Sequence, residues 1–438
     1  MTQVAAPSES TGRDSPPRSI RSTFAALELD TRLLGMVVAL GVIWVFFNVI
    51  SDGKFLTARN LWNLSVQSSA IAIMATGMVL IIVSRNIDLS VGSVLGFIGY
   101  VMAMTQTVWI PQTLGLGLDQ PYTWMITLVV GVGVGAVVGG ITGVLVAYSG
   151  IPSFIVTLGG LLVWRGLIFR FQQGQTISPL DSTFQLLGGG PIGSLGDVTS
   201  WILGVLACVA IVISLIAARR RLQRYGFPIR PIWAQVVVGA AACAAVLAAI
   251  WVANNYFWPP ALAQQYAEEN NIAVPPGGLQ IATGIAYPVL IMIGVGIVMT
   301  YLATRRRFGR YVYAIGGNPD AAELGGINVR RTIAGTFVLM GVLAAIGAAV
   351  STARLNSAVT NLGVQNELDV ISAAVIGGTS FAGGIGTIPG AILGAVVMQS
   401  LRSGMLLLNV DSPMQDVVVG LVLVAAVGFD AFLRRRAS

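Results

Sequence analysis

The chain has 438 residues, of which 55% are hydrophobic and 10% charged, and this composition excludes a water-soluble globular domain with its usual share of charged residues. It has no histidine and only two cysteines, Cys208 and Cys243, which excludes Ser-His-Asp triads, most zinc and haem sites and a disulfide framework. The net charge of +7 comes from arginines clustered between apolar segments. That distribution is the positive-inside pattern of membrane proteins and does not indicate nucleic-acid binding.

Apolar segments of membrane-spanning length follow a polar N-terminal region. Residues 1–32 are rich in Ser, Pro and Thr, which predicts a disordered cytoplasmic tail. Nine apolar segments come next, then a glycine-interrupted stretch at 370–409 and a last span at 417–433. The nine segments are 33–50, 61–83, 91–108, 123–148, 154–169, 201–217, 232–253, 285–303 and 332–353. The sequence predicts an all-α polytopic transmembrane helical bundle over residues 33–433, with a C-terminal tail at 434–438.

The arginine distribution predicts how this bundle is oriented. The loops at 109–122 and 254–284 contain no Lys or Arg, whereas the segments 219–233 and 305–331 together contain eleven. Because basic residues favour the cytoplasmic side, both termini are expected in the cytoplasm. An even number of spans then requires two crossings within 370–409, or a re-entrant pair of half-helices with extra spans, giving ten to twelve spans in total.

Glycines recur at helical spacing in two of the apolar segments. Gly131, Gly135, Gly139 and Gly143 follow each other at intervals of four, as do Gly386, Gly390 and Gly394. Such rows predict close helix packing, and the alternative is a backbone-lined pathway.

The loop at 305–331 encodes a short capped helix. Asn318 is a favourable N-cap and Pro319 suits the first helical position, while Gly325 is expected to end the helix after Leu324. Six residues make only about 9 Å of helix, which is too short to be stable alone in water. The helix is therefore expected to dock onto a cytoplasmic partner, or alternatively to lie on its own bundle or on lipid headgroups.

Two further segments place polar groups at membrane depth. Asp88, in the interruption at 84–93, is either a functional carboxylate or a cap for the next helix. Arg165 either pairs with a carboxylate such as Asp88 or extends its side chain to the interface. Glycines and Thr379 interrupt the helix pattern at 371–395. Irregular backbone survives in a membrane only where protein or a water-filled cavity covers it, so this segment is expected to line a solute path.

The chain has no nucleotide-hydrolysing motif of its own. Its single lysine, Lys54, lies outside any G-x-x-x-x-G-K-[ST] phosphate loop. A chain of buried acids or histidines that would relay protons is also missing from the pattern. The sequence therefore predicts that this chain is not its own ATPase, and a gradient-driven secondary transporter or a channel is an open alternative. A membrane-embedded transferase would need clustered carboxylates or a metal site, which the sequence does not suggest.

Several strings of the sequence resemble bacterial ABC-type sugar permeases of the ribose and xylose class. They are NIDLSVGS at 86–93, PSFIVTLGGLLVWRGL at 152–167, YAIGGNPDAAELGGINVRR at 313–331, ARLNSA at 353–358 and ELDVISAAVIGGTSFAGGIGTIPGAILGA at 367–395. The similarity covers nearly the whole chain from Leu33 onwards. The additional segment at 219–233, with a span after it, is more similar to the xylose permeases, whereas Arg85 and Asn86 stand where the family usually has glycines.

The resemblance implies the membrane subunit of an importer that moves a monosaccharide, with xylose or another pentose favoured, across the inner membrane. It implies a helical fold similar to that of the cobalamin-type importers and no cofactor in this chain, since ATP is bound by partner subunits. The implied partners are cytoplasmic ABC ATPase subunits, a periplasmic sugar-binding protein, a second permease copy and membrane lipid. The residues expected to couple to the ATPase are Gly317, Asn318, Pro319, Ala322, Glu323, Leu324, Gly325 and Ile327. The candidates for the translocation path are Asn63, Gln67, Asp88, Arg165, Asn361 and Thr379.

Overall fold

The computed structural model describes residues 31–115, 117–229 and 231–437 of the chain. Within these ranges the regular structure is helical, with isolated β-bridges between loops, which confirms the all-α class. In the part of the chain that the structure describes, ten helices are long and apolar enough to cross a membrane. In chain order they are α1 (Thr31–Ile50), α2 (Ala58–Val83), α3 (Val91–Met104, prolonged by a π-helical turn at Thr105–Trp109 and by α4, Ile110–Leu114), α5 (Thr123–Ala147), α6 (Ser153–Gln172), α8 (Asp197–Arg224), α9 (Ile232–Asn254), α11 (Tyr287–Arg305), α14 (Val329–Leu355) and α16 (Ile388–Leu407).

The other helices are shorter or less apolar. They are α7 (Ser182–Gln185), α10 (Pro260–Glu269), α12 (Arg307–Gly317), α13 (Pro319–Leu324), α15 (Asn366–Ile376) and α17 (Ser412–Ala437). All nine predicted apolar segments coincide with membrane-length helices, and the predicted last span at 417–433 lies within α17. The predicted tail at 1–32 falls outside the described residues, apart from its last two residues, which begin α1.

The glycine-interrupted stretch at 370–409 differs from both predicted arrangements. It contains one half-length helix, α15, followed by an irregular loop at 377–387 and the full-length helix α16. Eleven residues rise about 16 Å, roughly half the thickness of the hydrocarbon core. Gly378, Gly383 and Gly384 have φ values of +87°, +87° and +72°, so the helix cannot continue through them. The break arises from these left-handed backbone conformations.

The centre of the bundle is formed by α2 and α14. α2 is buried along almost its whole membrane-spanning length, and it packs against α11, α14, α15 and α16. α8 and α9 pack mainly on each other and leave most of their surface exposed at the periphery. Hydropathy does not separate these two kinds of helix, because side chains that face lipid are as apolar as those in the core.

The two arginine-rich segments lie at the same end of the bundle. Gly196 forms a bridge with Gly284, so α8 and α11 begin side by side. Each helix then runs the length of the bundle and ends in arginine, at Arg224 and Arg305. α12 and α13 follow directly after α11, so this end is called the α13 end below. The opposite end carries the bridge between Ile177 and Ala358.

The predicted glycine row on α5 packs helix against helix. A Cβ on Gly135 or Gly139 would collide with the backbone of α14, at the carbonyl oxygens of Gly341 and Phe337. A Cβ on Gly143 would lie 2.7 Å from the carbonyl oxygen of Ala334. The missing side chains therefore allow backbone-to-backbone contact, and the helix-packing interpretation is confirmed for this row.

The second glycine row is only partly helical. Gly390 and Gly394 lie on α16, and their Cα atoms face the backbone of α15 at Gly377 and Ala373. Gly386 precedes α16 and belongs to the irregular loop. The half-helix α15 is thus held against α16 by direct backbone contact.

We expect Gly139→Leu to destabilise the bundle, because the added side chain must push α5 away from α14. Overpacking of this kind costs about 1–3 kcal/mol or more. The matched control is Gly133→Leu on the same helix, where a Cβ meets nothing within 4 Å. Thermal unfolding of the detergent-solubilised protein should show a lower Tm for Gly139→Leu only. Equal Tm values for the two variants would contradict the close contact.

Candidate functional site

The helix α13 has the caps that its sequence predicts. The side-chain oxygen of Asn318 accepts a hydrogen bond from the Ala321 backbone N–H at 3.0 Å, and Pro319 occupies the first helical position. The helix ends at Leu324, and Gly326 follows with a φ of +81°. These local interactions hold six residues in a helix that propensity alone would not maintain.

The apolar side chains of α13 divide between two surfaces. Ala322 is 7% exposed and packs towards the rest of the chain, where α13 contacts α12 and α14. Leu324 is 91% exposed, the largest exposed fraction of the large apolar side chains in the described residues. Glu323 and Gly325 beside it are also exposed, and Ile327 is half-buried. α13 therefore rests on its own bundle through Ala322 and presents Leu324 to the solvent.

The helix α12, which precedes α13, was not anticipated from the sequence. Val312 and Ile315 on its inner face are buried, whereas Arg307 and Arg310 are exposed. The hydroxyl of Tyr313 donates a hydrogen bond of 2.6 Å to the Gly386 carbonyl, and burial raises the pKa of this phenol above its ordinary value. The apolar residues of this segment recur at helical spacing, which predicts an amphipathic helix. The arginines and glycines between them made this pattern hard to recognise.

Asp88 lies in the turn between α2 and α3 and is buried. Its carboxylate accepts hydrogen bonds from the Ser90 backbone N–H at 2.8 Å and from the Ser90 hydroxyl at 2.6 Å. Ser90 is the N-cap residue of α3, so the carboxylate organises the start of that helix from two residues upstream. No side chain caps α3, so the structure shows the tight turn of this interpretation but not a helix cap formed by the Asp88 carboxylate.

Arg165 binds a backbone carbonyl and not the carboxylate proposed from the sequence. Its guanidinium donates to the Leu362 carbonyl at 3.4 Å and lies in the electrostatic field of Glu367, at the start of α15. The pairing of Arg165 with Asp88 is therefore wrong, because the Asp88 carboxylate is occupied by Ser90. A carboxylate partner for Arg165 stays a prediction.

A second ionic group joins three helices and was missed by sequence reasoning. Arg402 on α16 binds Asp369 on α15 at 2.9 Å and Asp416 on α17 at 3.4 Å. Sequence reasoning did not anticipate that Asp369 and Asp416 share one arginine, although no group of acids among the described residues could hold a metal ion. The sequence did contain a signal for this ionic group, because an ionisable residue inside an apolar segment is itself a functional candidate.

The remaining path candidates lie in separate surroundings. Asn63 donates to the Arg59 carbonyl of its own helix at 2.9 Å, and Gln67 accepts from Gln399 on α16 at 2.7 Å. Asn361 is exposed, next in sequence to the carbonyl that Arg165 binds. Thr379 is buried in the irregular loop before α16. The structure thus brings Arg165 and Asn361 into one region and leaves the other candidates elsewhere.

A cavity of about 350 Å³ opens at the α13 end of the bundle. It is lined by Leu33 and Met36 of α1, by Tyr313, and by residues of the loop at 377–387. None of the six path candidates lines it. A solute path along these candidates therefore stays a prediction.

Comparison with known proteins identifies the family. A family described as "branched-chain amino acid transport system / permease component" is matched over residues 60–427. The xylose transport system permease protein XylH of Haemophilus influenzae is 36% identical over 413 residues, which cover 94% of this chain and 100% of that protein. XylH of Escherichia coli is 37% identical over 410 residues, covering 93% of this chain and 94% of that protein. The ribose import permease protein RbsC of Escherichia coli is 29% identical over 394 residues, covering 90% and 92% of the two chains.

No solved structure matches the chain, so the expected likeness to the cobalamin-type importers stays a prediction. The matched region contains all of the membrane-length helices except α1, and it includes α12 and α13. Members of the matched family are multi-pass membrane subunits that have no catalytic site or bound cofactor of their own. The chain belongs to this family of ABC-importer permease components, which includes the xylose and ribose permeases.

Proposed function

We propose that this chain forms the membrane path of an ATP-driven pentose importer and receives movement from cytoplasmic ATPase subunits through α13. The observation that carries the proposal is Leu324, which a capped helix holds almost fully in solvent. Burying a leucine side chain is worth about 1.5–3 kcal/mol, so this residue is a natural anchor for a partner protein. The coupling residues predicted from the sequence surround it at 317–327.

The substrate we propose is xylose. Identity is higher to the xylose permeases than to the ribose permease, and it extends over almost the whole of each chain. The additional hairpin formed by α8 and α9 supports the same choice, because it contains the segment that resembles the xylose permeases. A pentose is neutral and rich in hydroxyl groups, so amide and hydroxyl side chains such as Asn63, Gln67, Asn361 and Thr379 suffice to line its route.

The α13 end is assigned to the cytoplasm. Both arginine-rich segments reach this end, as the positive-inside rule requires. Phe47 near the end of α1 packs against Gly404 near the end of α16, so α1 ends, and α17 begins, at the opposite end. The chain would then enter and leave the bundle on the cytoplasmic side, which supports the predicted position of both termini in the cytoplasm.

The other partners follow from this orientation. A sugar-binding protein would approach the opposite end, where α10 and the loops without basic residues lie. A second permease copy would complete the path, since Asn361, Val364 and Leu368 around the start of α15 are exposed in the single chain. The peripheral faces of α8 and α9 would contact lipid.

Reconstitution of the chain with and without its ATPase subunits tests this function. Proteoliposomes containing the permease, the ATPase and the sugar-binding protein should accumulate radiolabelled D-xylose only when ATP is supplied to the ATPase side. Unlabelled xylose should compete more strongly than unlabelled ribose. Uptake by the permease alone would instead identify a gradient-driven transporter or a channel.

Two substitutions on α13 test the docking surface. We expect Leu324→Asp and Glu323→Arg to reduce co-purification of the ATPase at least about tenfold, a change that corresponds to about 1.4 kcal/mol. Membrane insertion and Tm should stay unchanged, because Leu324 is 91% exposed and makes few contacts with its own chain. The control is Leu222→Asp, which alters an exposed leucine on the other arginine-rich segment. Normal assembly of both α13 variants would refute the docking assignment.

A further inference from the structure

Arg85 joins the end of α2 to the end of α12. It lies two residues after α2, and its guanidinium binds the last two carbonyl groups of α12. The Nε atom donates to the Gly316 carbonyl at 2.8 Å, and an Nη atom donates to the Gly317 carbonyl at 2.7 Å. Gly317 immediately precedes Asn318, the N-cap of α13. One side chain therefore connects the turn after α2 with the residue next to the docking helix.

The backbone of Arg85 has an unusual conformation for an arginine. Its φ is +63°, in the left-handed region that glycine adopts freely and that side chains with a Cβ disfavour. A residue kept in such a conformation indicates that its surroundings or its function maintain it. Here the side chain that glycine would lack makes the two hydrogen bonds to α12.

The irregular loop at 377–387 completes the same junction. The Gly384 backbone N–H donates to the Val83 carbonyl at the end of α2 at 3.0 Å. Gly383 lies against the Arg85 side chain, where a Cβ would come 2.5 Å from Cγ. The Tyr313 hydroxyl of α12 binds Gly386 of the loop. Three segments, the end of α2, the end of α12 and this loop, are thus tied together at the α13 end.

Each of these segments continues into an element at membrane depth. Three residues after Arg85, the Asp88 carboxylate organises the start of α3 through Ser90. The loop connects to the half-helix α15, which carries Glu367 and Asp369, and to α16. A displacement of α13 would therefore reach α3 and α15 through this junction.

We propose that Arg85 is a positioning residue that transmits movement of α13 to the turn before α3 and to the loop at 377–387. This inference rests on the proposed function, because it requires an ATPase to move α13. The charge-assisted bonds of a guanidinium fork fix direction as well as distance, so they suit a rigid connection between moving parts. The alternative is a purely stabilising role, in which Arg85 binds the C-terminal carbonyl groups of α12 as basic side chains commonly do at helix ends.

The two roles predict different outcomes for Arg85→Gly. Glycine adopts the left-handed backbone conformation without steric strain, and it lacks the side chain that makes both hydrogen bonds to α12. If Arg85 transmits movement, the complex with the ATPase should assemble with an unchanged or higher Tm and hydrolyse ATP within about twofold of the unsubstituted complex. The number of xylose molecules imported per ATP should nevertheless fall at least about fivefold. Arg85→Lys keeps a cation without the fork and should recover part of this ratio.

The control is Arg310→Ala, which removes an exposed arginine from α12 itself and should leave the ratio unchanged. A ratio for Arg85→Gly equal to that of the unsubstituted complex would overturn the inference. A lower Tm with proportional loss of assembly in Arg85→Gly would also overturn it, in favour of a purely stabilising role. Failure of the proposed function is seen separately, as absence of ATP-dependent uptake by the unsubstituted complex, and the inference would fall with it.

Discussion

The architecture depends on the cost of leaving backbone N–H and C=O groups unpaired where no water is present. Helices pair these backbone groups along most of the chain. The two irregular segments, between α2 and α3 and between α15 and α16, use hydrogen bonds to neighbouring segments. Gly384 donates to Val83, and Arg85 binds the carbonyls that end α12. Broken helices are therefore placed where neighbouring segments complete their hydrogen bonds. The same contacts hold the end of α2, the end of α12 and the loop at 377–387 together at one end of the bundle.

Close packing of the central helices follows from the absence of side chains at selected glycines. α5 and α14 approach until their backbones touch at Gly135 and Gly139, and α15 approaches α16 in the same way at Gly390 and Gly394. In a membrane no hydrophobic driving force distinguishes protein from lipid, so shape complementarity of this kind decides which helices associate. The ionic group of Arg402, Asp369 and Asp416 adds a second constraint, because it joins α15 to both α16 and α17.

Local signals in the sequence were sufficient for the helical class, for the nine apolar segments and for α13. The caps of α13 act within four residues, so Asn318, Pro319 and Gly325 predict its bounds without any knowledge of the fold. Long-range pairings were not accessible in this way. Arg165 donates to the Leu362 carbonyl about 200 residues away, and nothing in either segment indicates this contact in place of a pair with Asp88. The half-length of α15 was likewise hidden, because glycines that end a helix and glycines that pack helices look alike before the contacts are known.

The exposure of Leu324 also bears on the mechanics of assembly. If an ATPase subunit docks on α13 as proposed, a six-residue helix with one almost fully exposed leucine would fix the position of that partner more tightly than its angle. The two proteins would then rotate relative to each other about Leu324 while this contact persists. Under the proposed function, this geometry would let the permease follow rotations of the ATPase subunits while the two proteins stay bound.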